Sequence, residues 1–174
     1  MNFPVAHLVP LALCLLIAVI WDLRVRRIPN AVCGAIAVTG LGAQFWDVGL
    51  VGALGGLAMA IATIAVLYFF WQRGGIGGGD VKLAAAVAIW LAPRSLPVFW
   101  LASALAGGVT AAVCWAVSGA PARREIRANL TLAALQQAMP HLSTEAEAAA
   151  NPGRISVPYA VAIAAGAVSV WLRG

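Results

Sequence analysis

Charged side chains are scarce in this sequence: Asp, Glu, Lys and Arg make up only 10% of its 174 residues, and just six residues are acidic. Hydrophobic residues make up 63%, more than a soluble domain of this size buries in one core. We therefore predict an integral membrane protein, with the lipid bilayer as its first partner. The net charge of +5 gives no reason to expect nucleic acid, because basic loops beside an anionic leaflet explain it.

Motifs for metals and cofactors are also lacking. Cys14, Cys33 and Cys114 form no CxxC pair and lie inside apolar runs, which predicts packing roles. His7 and His141 are isolated and fall on opposite sides of the membrane in the topology argued below, which disfavours a metal site. Neither a Walker A loop nor a GxGxxG fingerprint occurs. We expect no cofactor and no metal.

Apolar runs bounded by charges, Pro or Gly predict an all-α polytopic membrane protein. About six transmembrane helices are expected, at residues 3–21, 31–46, 50–71, 81–93, 95–118 and 155–172. These runs are apolar all round, whereas the strands of a membrane barrel alternate. The first run lacks a basic start and a cleavage site, so we expect a helix rather than a signal peptide. Residues 1–174 form one predicted domain, with a polar loop at about 119–154 between helices 5 and 6.

The basic residues predict the orientation. If the N-terminus is outside, only Arg94 and Arg173 fall on the outer side. The other nine fall on the inner side: Arg24, Arg26, Arg27, Arg73, Lys82, Arg123, Arg124, Arg127 and Arg154. The positive-inside rule makes that side cytoplasmic, so both termini are expected to be periplasmic or extracellular.

Two of the six acidic residues adjoin predicted transmembrane helices at their cytoplasmic ends. The other four, Asp47, Glu125, Glu145 and Glu147, fall in predicted loops where water solvates them. Asp22 adjoins the cytoplasmic end of helix 1, and Asp80 adjoins the cytoplasmic end of helix 4, so a compact bundle brings them to one depth. Ionisable groups at membrane depth are costly and are functional candidates by default.

A glycine loop, "GGIGGGDVKL" at 74–83, leads into Asp80. Gly77, Gly78 and Gly79 can adopt positive φ and bring the backbone close to a partner, and we expect their N–H groups to stay free to bind an extended peptide. The alternative is a flexible loop in which Asp80 is only a helix N-cap.

Two carboxyls held close together share one proton, because two adjacent negative charges repel. The charged member then takes a proton from a water that attacks a peptide carbonyl, and the neutral member donates a hydrogen bond to its oxygen. The sequence leaves open which aspartate has which role.

Three patches resemble the type IV prepilin peptidases, membrane aspartyl proteases of the GxGD class. They are "WDLRVRRIPN" at 21–30, the glycine loop with GxGD at its centre, and "VPYAVAIAAGA" at 157–167, which has Ala160 where the family usually has Gly. The resemblance implies catalysis by Asp22 and Asp80, and removal of the basic leader from a prepilin or pseudopilin at the cytoplasmic face of the bacterial inner membrane.

The resemblance also implies a subtype. Bifunctional relatives carry two CxxC pairs and methylate the mature pilin, whereas this chain resembles the short peptidase-only enzymes of Tad (Flp) pili. We therefore expect Flp-type substrates and no methyl transfer.

Further positions are expected to support the catalytic loop or to bind substrate. Pro29 and Asn30 equally suit a helix start. Lys82 lies about 200° around the helix from Asp80, so it either reaches the headgroups or orients the loop. Pro158 and Tyr159 open helix 6, where the tyrosine either anchors at the interface or lines the site.

A proton-coupled transporter is the alternative function, since paired carboxylates and glycine-broken segments also occur there. That interpretation predicts inverted repeats and acids at the midplane, and the two halves of this sequence show no convincing repeat.

Overall fold

The computed structural model describes residues 5–73, 76–117, 119, 131 and 158–172. Within these residues the chain has no strand and forms six α-helices: α1 (Val5–Val25), α2 (Asn30–Val48), α3 (Leu50–Gln72), α4 (Gly78–Ala88), α5 (Leu96–Val117) and α6 (Tyr159–Trp171). A 3-10 turn at Pro93–Ser95 precedes α5. The predicted all-α class is confirmed. Apart from positions 119 and 131, the predicted polar loop at 119–154 lies outside the described residues.

Three of these helices are long and apolar enough to cross a membrane: α2, α3, and α5 with its preceding turn. The chain is therefore a membrane-embedded protein. In contrast, α4 has 11 residues, so at about 1.5 Å per residue it extends about 16 Å, against a hydrocarbon core of about 30 Å. Since α4 cannot cross alone, the expected count of about six spans stays a prediction.

Short connections join the first three helices. Arg26 follows α1 in the left-handed region, with φ 56, and its N–H donates to the Asp22 carbonyl at 2.9 Å. Pro29, with φ −64, then precedes α2. Gly49 alone joins α2 to α3, and its φ of 77 is a conformation that glycine adopts without steric cost. Its N–H donates to the Phe45 carbonyl at 2.8 Å, which closes the last turn of α2.

Helix α4 is the centre of the bundle. Every residue from Leu83 to Ala88 is buried, and the helix packs on α2, α3 and α6. Helix α6 also contacts α1 and forms the largest helix contact in the bundle with α5. Because neighbours surround α4, its sequence is apolar all round instead of along one face.

The chain leaves the α4 helix at Ile89, earlier than the predicted end at residue 93. Two buried side chains, Gln44 of α2 and Trp90 of the turn after α4, stabilise this end of the helix. The Gln44 amide donates from Nε2 to the Ile89 carbonyl at 2.9 Å, and the Trp90 indole donates from Nε1 to the Ile36 carbonyl at 3.0 Å. These bonds satisfy polar groups in the core, which lets the chain turn there instead of continuing as a helix.

Candidate active site

Three parts of the chain meet at one end of the bundle: the α1–α2 connection, the start of α4 and the start of α6. The Lys82 ammonium of α4 donates to Asn30 Oδ1 of α2 at 3.1 Å. A Cβ built on Gly79 would lie 3.5 Å from the Ile28 Cβ. The Ala160 N–H of α6 donates to Asp22 Oδ2 at 3.1 Å. The two sequence patches around Asp22 and Asp80, and the patch at the start of α6, therefore form one site.

Asp22 lies in the last turn of α1, and only 5% of its surface is exposed. Its carboxylate acts as the cap of another helix. Pro158 precedes α6 and contributes no side-chain cap, so the N–H groups of the first turn need an outside acceptor. Asp22 provides this acceptor for the N–H of Ala160, the second residue of α6. A helix N-terminus stabilises negative charge through these N–H groups and the helix dipole.

Asp80 is the third residue of α4, and the helix is capped by Gly77. The alternative in which Asp80 is itself the N-cap is therefore wrong. Its carboxylate reaches back and accepts a hydrogen bond from the Gly77 N–H, as the acidic member of a capping box does.

None of these three glycines has a positive φ, and Gly77 is required for a different reason. Gly77 has φ −70, and Gly78 and Gly79 are helical. A Cβ on Gly77 would lie 2.7 Å from Asp80 Oδ2, too close for any real contact, while one on Gly78 would lie 3.3 Å from the Trp71 Nε1. Glycine at position 77 therefore makes room for the carboxylate.

The two carboxyls interact electrostatically. Burial raises the pKa of Asp80 from 3.8 to about 7, the negative charge of Asp22 adds to the rise, and the Gly77 N–H opposes it. Asp80 lies in α4, outside the three helices that are long enough to span the membrane. Asp22 therefore lies close enough to Asp80 for its charge to act on the Asp80 carboxyl. A pair of this kind can hold one proton and one negative charge near neutral pH.

The other predicted positions divide into two groups. Pro29 is the N-cap of α2, and the next residue, Asn30, accepts a hydrogen bond from Lys82, which ties α2 to α4 beside the pair. At the start of α6, Pro158 is buried, whereas a Cβ on Gly107 of α5 would lie 3.0 Å from the Tyr159 ring. The Tyr159 ring therefore packs on α5.

Sequence reasoning missed one functional group, the backbone N–H of Ala160. Every residue except proline has such a group, so it leaves no signal in a sequence. Only the proline two positions earlier indicated a helix start there.

Within the described ranges, no three His, Cys, Asp or Glu side chains lie together as metal ligands would. Comparison with known families then gives one match: the profile of the type IV leader peptidase family matches residues 9–112, which include both acids and exclude α6. No curated protein and no solved structure matches the chain significantly.

Proposed function

The chain belongs to the type IV leader peptidase family and is therefore a protease, and we propose that it is an aspartic endopeptidase whose catalytic groups are Asp22 and Asp80. The observation that carries this proposal is the electrostatic interaction between the two acids at the meeting point of α1, α4 and α6. Membership of a peptidase family also favours a hydrolase over the proton-coupled transporter, which uses similar acids for a different purpose.

The chemistry needs one charged and one protonated carboxyl. The charged one removes a proton from water as the water oxygen attacks the scissile carbonyl carbon, and the protonated one hydrogen-bonds to the carbonyl oxygen. Burial supports this chemistry, because it makes the simultaneous charging of both acids costly. Glycine at position 77 keeps the Asp80 carboxyl in place without a Cβ beside it.

We propose that the site faces the cytoplasm of a bacterial inner membrane. Among the described residues, the basic side chains at the end of the bundle that holds the two acids are Arg24, Arg26, Arg27, Arg73 and Lys82. Arg94 follows α4 and lies at the other end. This excess of basic residues at one end matches the positive-inside rule and implies that both termini of the chain are periplasmic.

The proposed substrates are prepilins or pseudopilins, which carry a short basic leader before a long hydrophobic helix. Within that class we propose the small prepilins of Tad (Flp) pili, because this sequence lacks the two CxxC pairs of the bifunctional enzymes. Methyl transfer to the mature pilin is not part of the proposal.

Coexpression with an Flp-type prepilin tests the proposal, with leader loss followed by gel shift. We expect Asp22→Asn and Asp80→Asn to accumulate in the membrane and leave the prepilin uncut. Asp47→Asn is the matched control, because Asp47 is an exposed acid at the α2–α3 turn. Processing by either active-site variant at near the wild-type rate would refute the catalytic assignment. Wild-type cleavage of longer type IV prepilins but not of Flp prepilins would refute only the subtype.

A further inference from the structure

We infer that the N-terminus of α6 holds Asp22 as the charged member of the pair, so that Asp22 is the base that activates water and Asp80 is the proton donor. This inference rests on the proposed function and assigns the two roles that the sequence leaves open. Ala160 acts in it as a positioning residue, through its backbone N–H.

The surroundings of Asp22 favour the charged form. Its surface is only 5% exposed, so water cannot stabilise the charge, and the protein must supply the donors. The Ala160 N–H does this at 3.1 Å. Ala160 lies in the first turn of a helix of 13 residues, where the unpaired N–H groups and the helix dipole both favour an anion. A carboxylate that accepts a backbone N–H at a helix start makes a charge-assisted bond.

The surroundings of Asp80 favour the protonated form. Its partial burial disfavours the charged form, and the fixed charge of Asp22 also repels a second negative charge. These effects outweigh the hydrogen bond from the Gly77 N–H, because the pKa of Asp80 is still raised to about 7. Asp80 therefore keeps its proton below neutral pH and is near enough to solvent to recover it after each turnover.

The assignment gives a balanced reaction. Asp22 takes a proton from water while the water oxygen bonds to the carbonyl carbon, and Asp80 gives its proton to the carbonyl oxygen, which leaves a gem-diol. Asp22 then gives its proton to the amide nitrogen as the C–N bond breaks. Asp80 takes a proton back from one hydroxyl, which leaves a free amine and a carboxylic acid. The pair ends with Asp22 charged and Asp80 protonated, as it began.

The same contact explains how the chain functions with alanine at position 160, where the resemblance leads one to expect glycine. The donor is the main-chain N–H, which both residues have. The Ala160 side chain is completely buried, so its methyl group fills space in the core instead of entering the site.

Other titratable groups do not obscure a test by pH. At the end of the bundle that holds the pair, the titratable side chains of the described elements are Arg24, Arg26, Arg27, Cys33, Tyr68, Arg73, Lys82 and Tyr159. Cys33 of α2 lies within electrostatic range of Asp80 and Lys82, and Lys82 is bonded to Asn30. Side chains of these types do not ordinarily change charge between about pH 4 and 7. Among these described groups, the fall of activity on the acid side therefore reports the pair.

The test is the pH–rate profile of leader cleavage by the full-length enzyme in detergent. Ala160→Pro removes the N–H, and proline is tolerated in a first turn. Val161→Pro, one position later in the same turn, is the matched control for proline itself. We expect Ala160→Pro to move the acid limb up by about one pH unit, because losing one charge-assisted bond changes proton affinity about tenfold. Ala160→Gly and Val161→Pro should keep the wild-type acid limb.

The inference can still be tested if the proline variants misfold. Proline restricts the residue before it, so thermal unfolding is measured for each variant. If Ala160→Pro fails to fold, replacing residue 160 with lactate converts the amide to an ester, which removes the N–H and keeps the methyl side chain. A wild-type acid limb in whichever variant folds would overturn the inference. A wild-type enzyme that cuts no prepilin would instead overturn the proposed function.

Discussion

The Asp22 carboxylate and the Ala160 N–H are joined at 3.1 Å across 138 positions of sequence. This bond has two roles, because it caps α6 and it holds one of the two acids. Helix α6 in turn packs on α4 and α5. A change in the packing of α6 therefore alters the candidate site without contacting either acid. Such a change is expected to lower both stability and activity.

The first prediction concerns Gly77→Ala. The φ of −70 at Gly77 suits alanine, so the backbone is not strained. The new methyl group, however, would meet Asp80 Oδ2 at 2.7 Å and displace the carboxyl. Displacement of a catalytic group by about 1 Å costs about 100-fold in rate, and we expect a loss of that order in leader cleavage. Gly34→Ala is the control, because a Cβ there meets nothing within 4 Å. Equal activity of the two variants would show that Asp80 does not need its present position.

Most of the fold, and the choice of Asp22 and Asp80 as candidate site residues, could be predicted from the sequence for one reason, the apolar character of the chain. Long apolar runs leave few alternatives to helices, and Asp22 and Asp80 are conspicuous because buried acids are rare in such a chain. The end of α4 was not predictable, since residues up to Leu91 are as apolar and buried as the helix, and the turn depends on Gln44 and Trp90.

The detail of the site was less predictable. The glycine loop suggested positive φ, whereas Gly77 is required by the position of the Asp80 side chain, which only coordinates show. The contact of Asp22 with Ala160 joins distant parts of the chain through a main-chain group, and neither composition nor spacing encodes it.

The second prediction concerns stability against pH. The folded protein keeps the Asp80 proton up to about pH 7, whereas the unfolded chain releases it near 3.8. Between these values unfolding releases a proton, so the contribution of Asp80 to stability is greatest below about pH 4 and falls as the pH rises to about 7. Allowing for partial solvation, we expect a loss of about 1 to 3 kcal/mol from this group.

Thermal unfolding in detergent from pH 4 to 8 measures this effect. Asp80→Asn lacks the titrating group, so its unfolding temperature should exceed that of the wild type most at pH 8 and converge with it toward pH 4. Parallel curves for the two proteins would contradict a raised pKa at Asp80.

The third prediction concerns the bond between Lys82 and Asn30. Both side chains are exposed, so their bond at 3.1 Å contributes little to stability, about 0.2 to 1 kcal/mol. Its effect on activity should be larger, because it ties α2 to the second residue after Asp80. We expect Lys82→Met and Asn30→Ala each to lower kcat several-fold, and the double variant to be no worse than either single one. Additive losses in this double-mutant cycle would show that the two residues act separately.

The fourth prediction concerns packing between α5 and α6. A Cβ on Gly166 would overlap the Ser103 hydroxyl and lie 3.0 Å from the Phe99 carbonyl oxygen, so the backbones must separate. We expect Gly166→Ala to lower the free energy of unfolding by about 1 to 3 kcal/mol, and to slow cleavage because α6 carries the Ala160 N–H. Gly108→Ala on α5 is the control, since its Cβ meets nothing within 4 Å. A stable Gly166→Ala enzyme with full activity would show that α6 tolerates displacement.

The fifth prediction concerns Gln44, which is 4% exposed and bonds the Ile89 carbonyl at 2.9 Å. Gln44→Leu keeps the size of the side chain but leaves that carbonyl without its donor inside the core, which costs about 1 to 3 kcal/mol. The lost bond holds the end of α4 farthest from Asp80, so the unfolding temperature should fall while the pH–rate profile keeps its shape. Gln72→Leu is the matched control, because Gln72 is exposed and donates to the exposed Tyr68 hydroxyl within its own helix. A changed pH–rate profile in Gln44→Leu would mean that α4 moves as a rigid rod and that its far end also sets the position of Asp80.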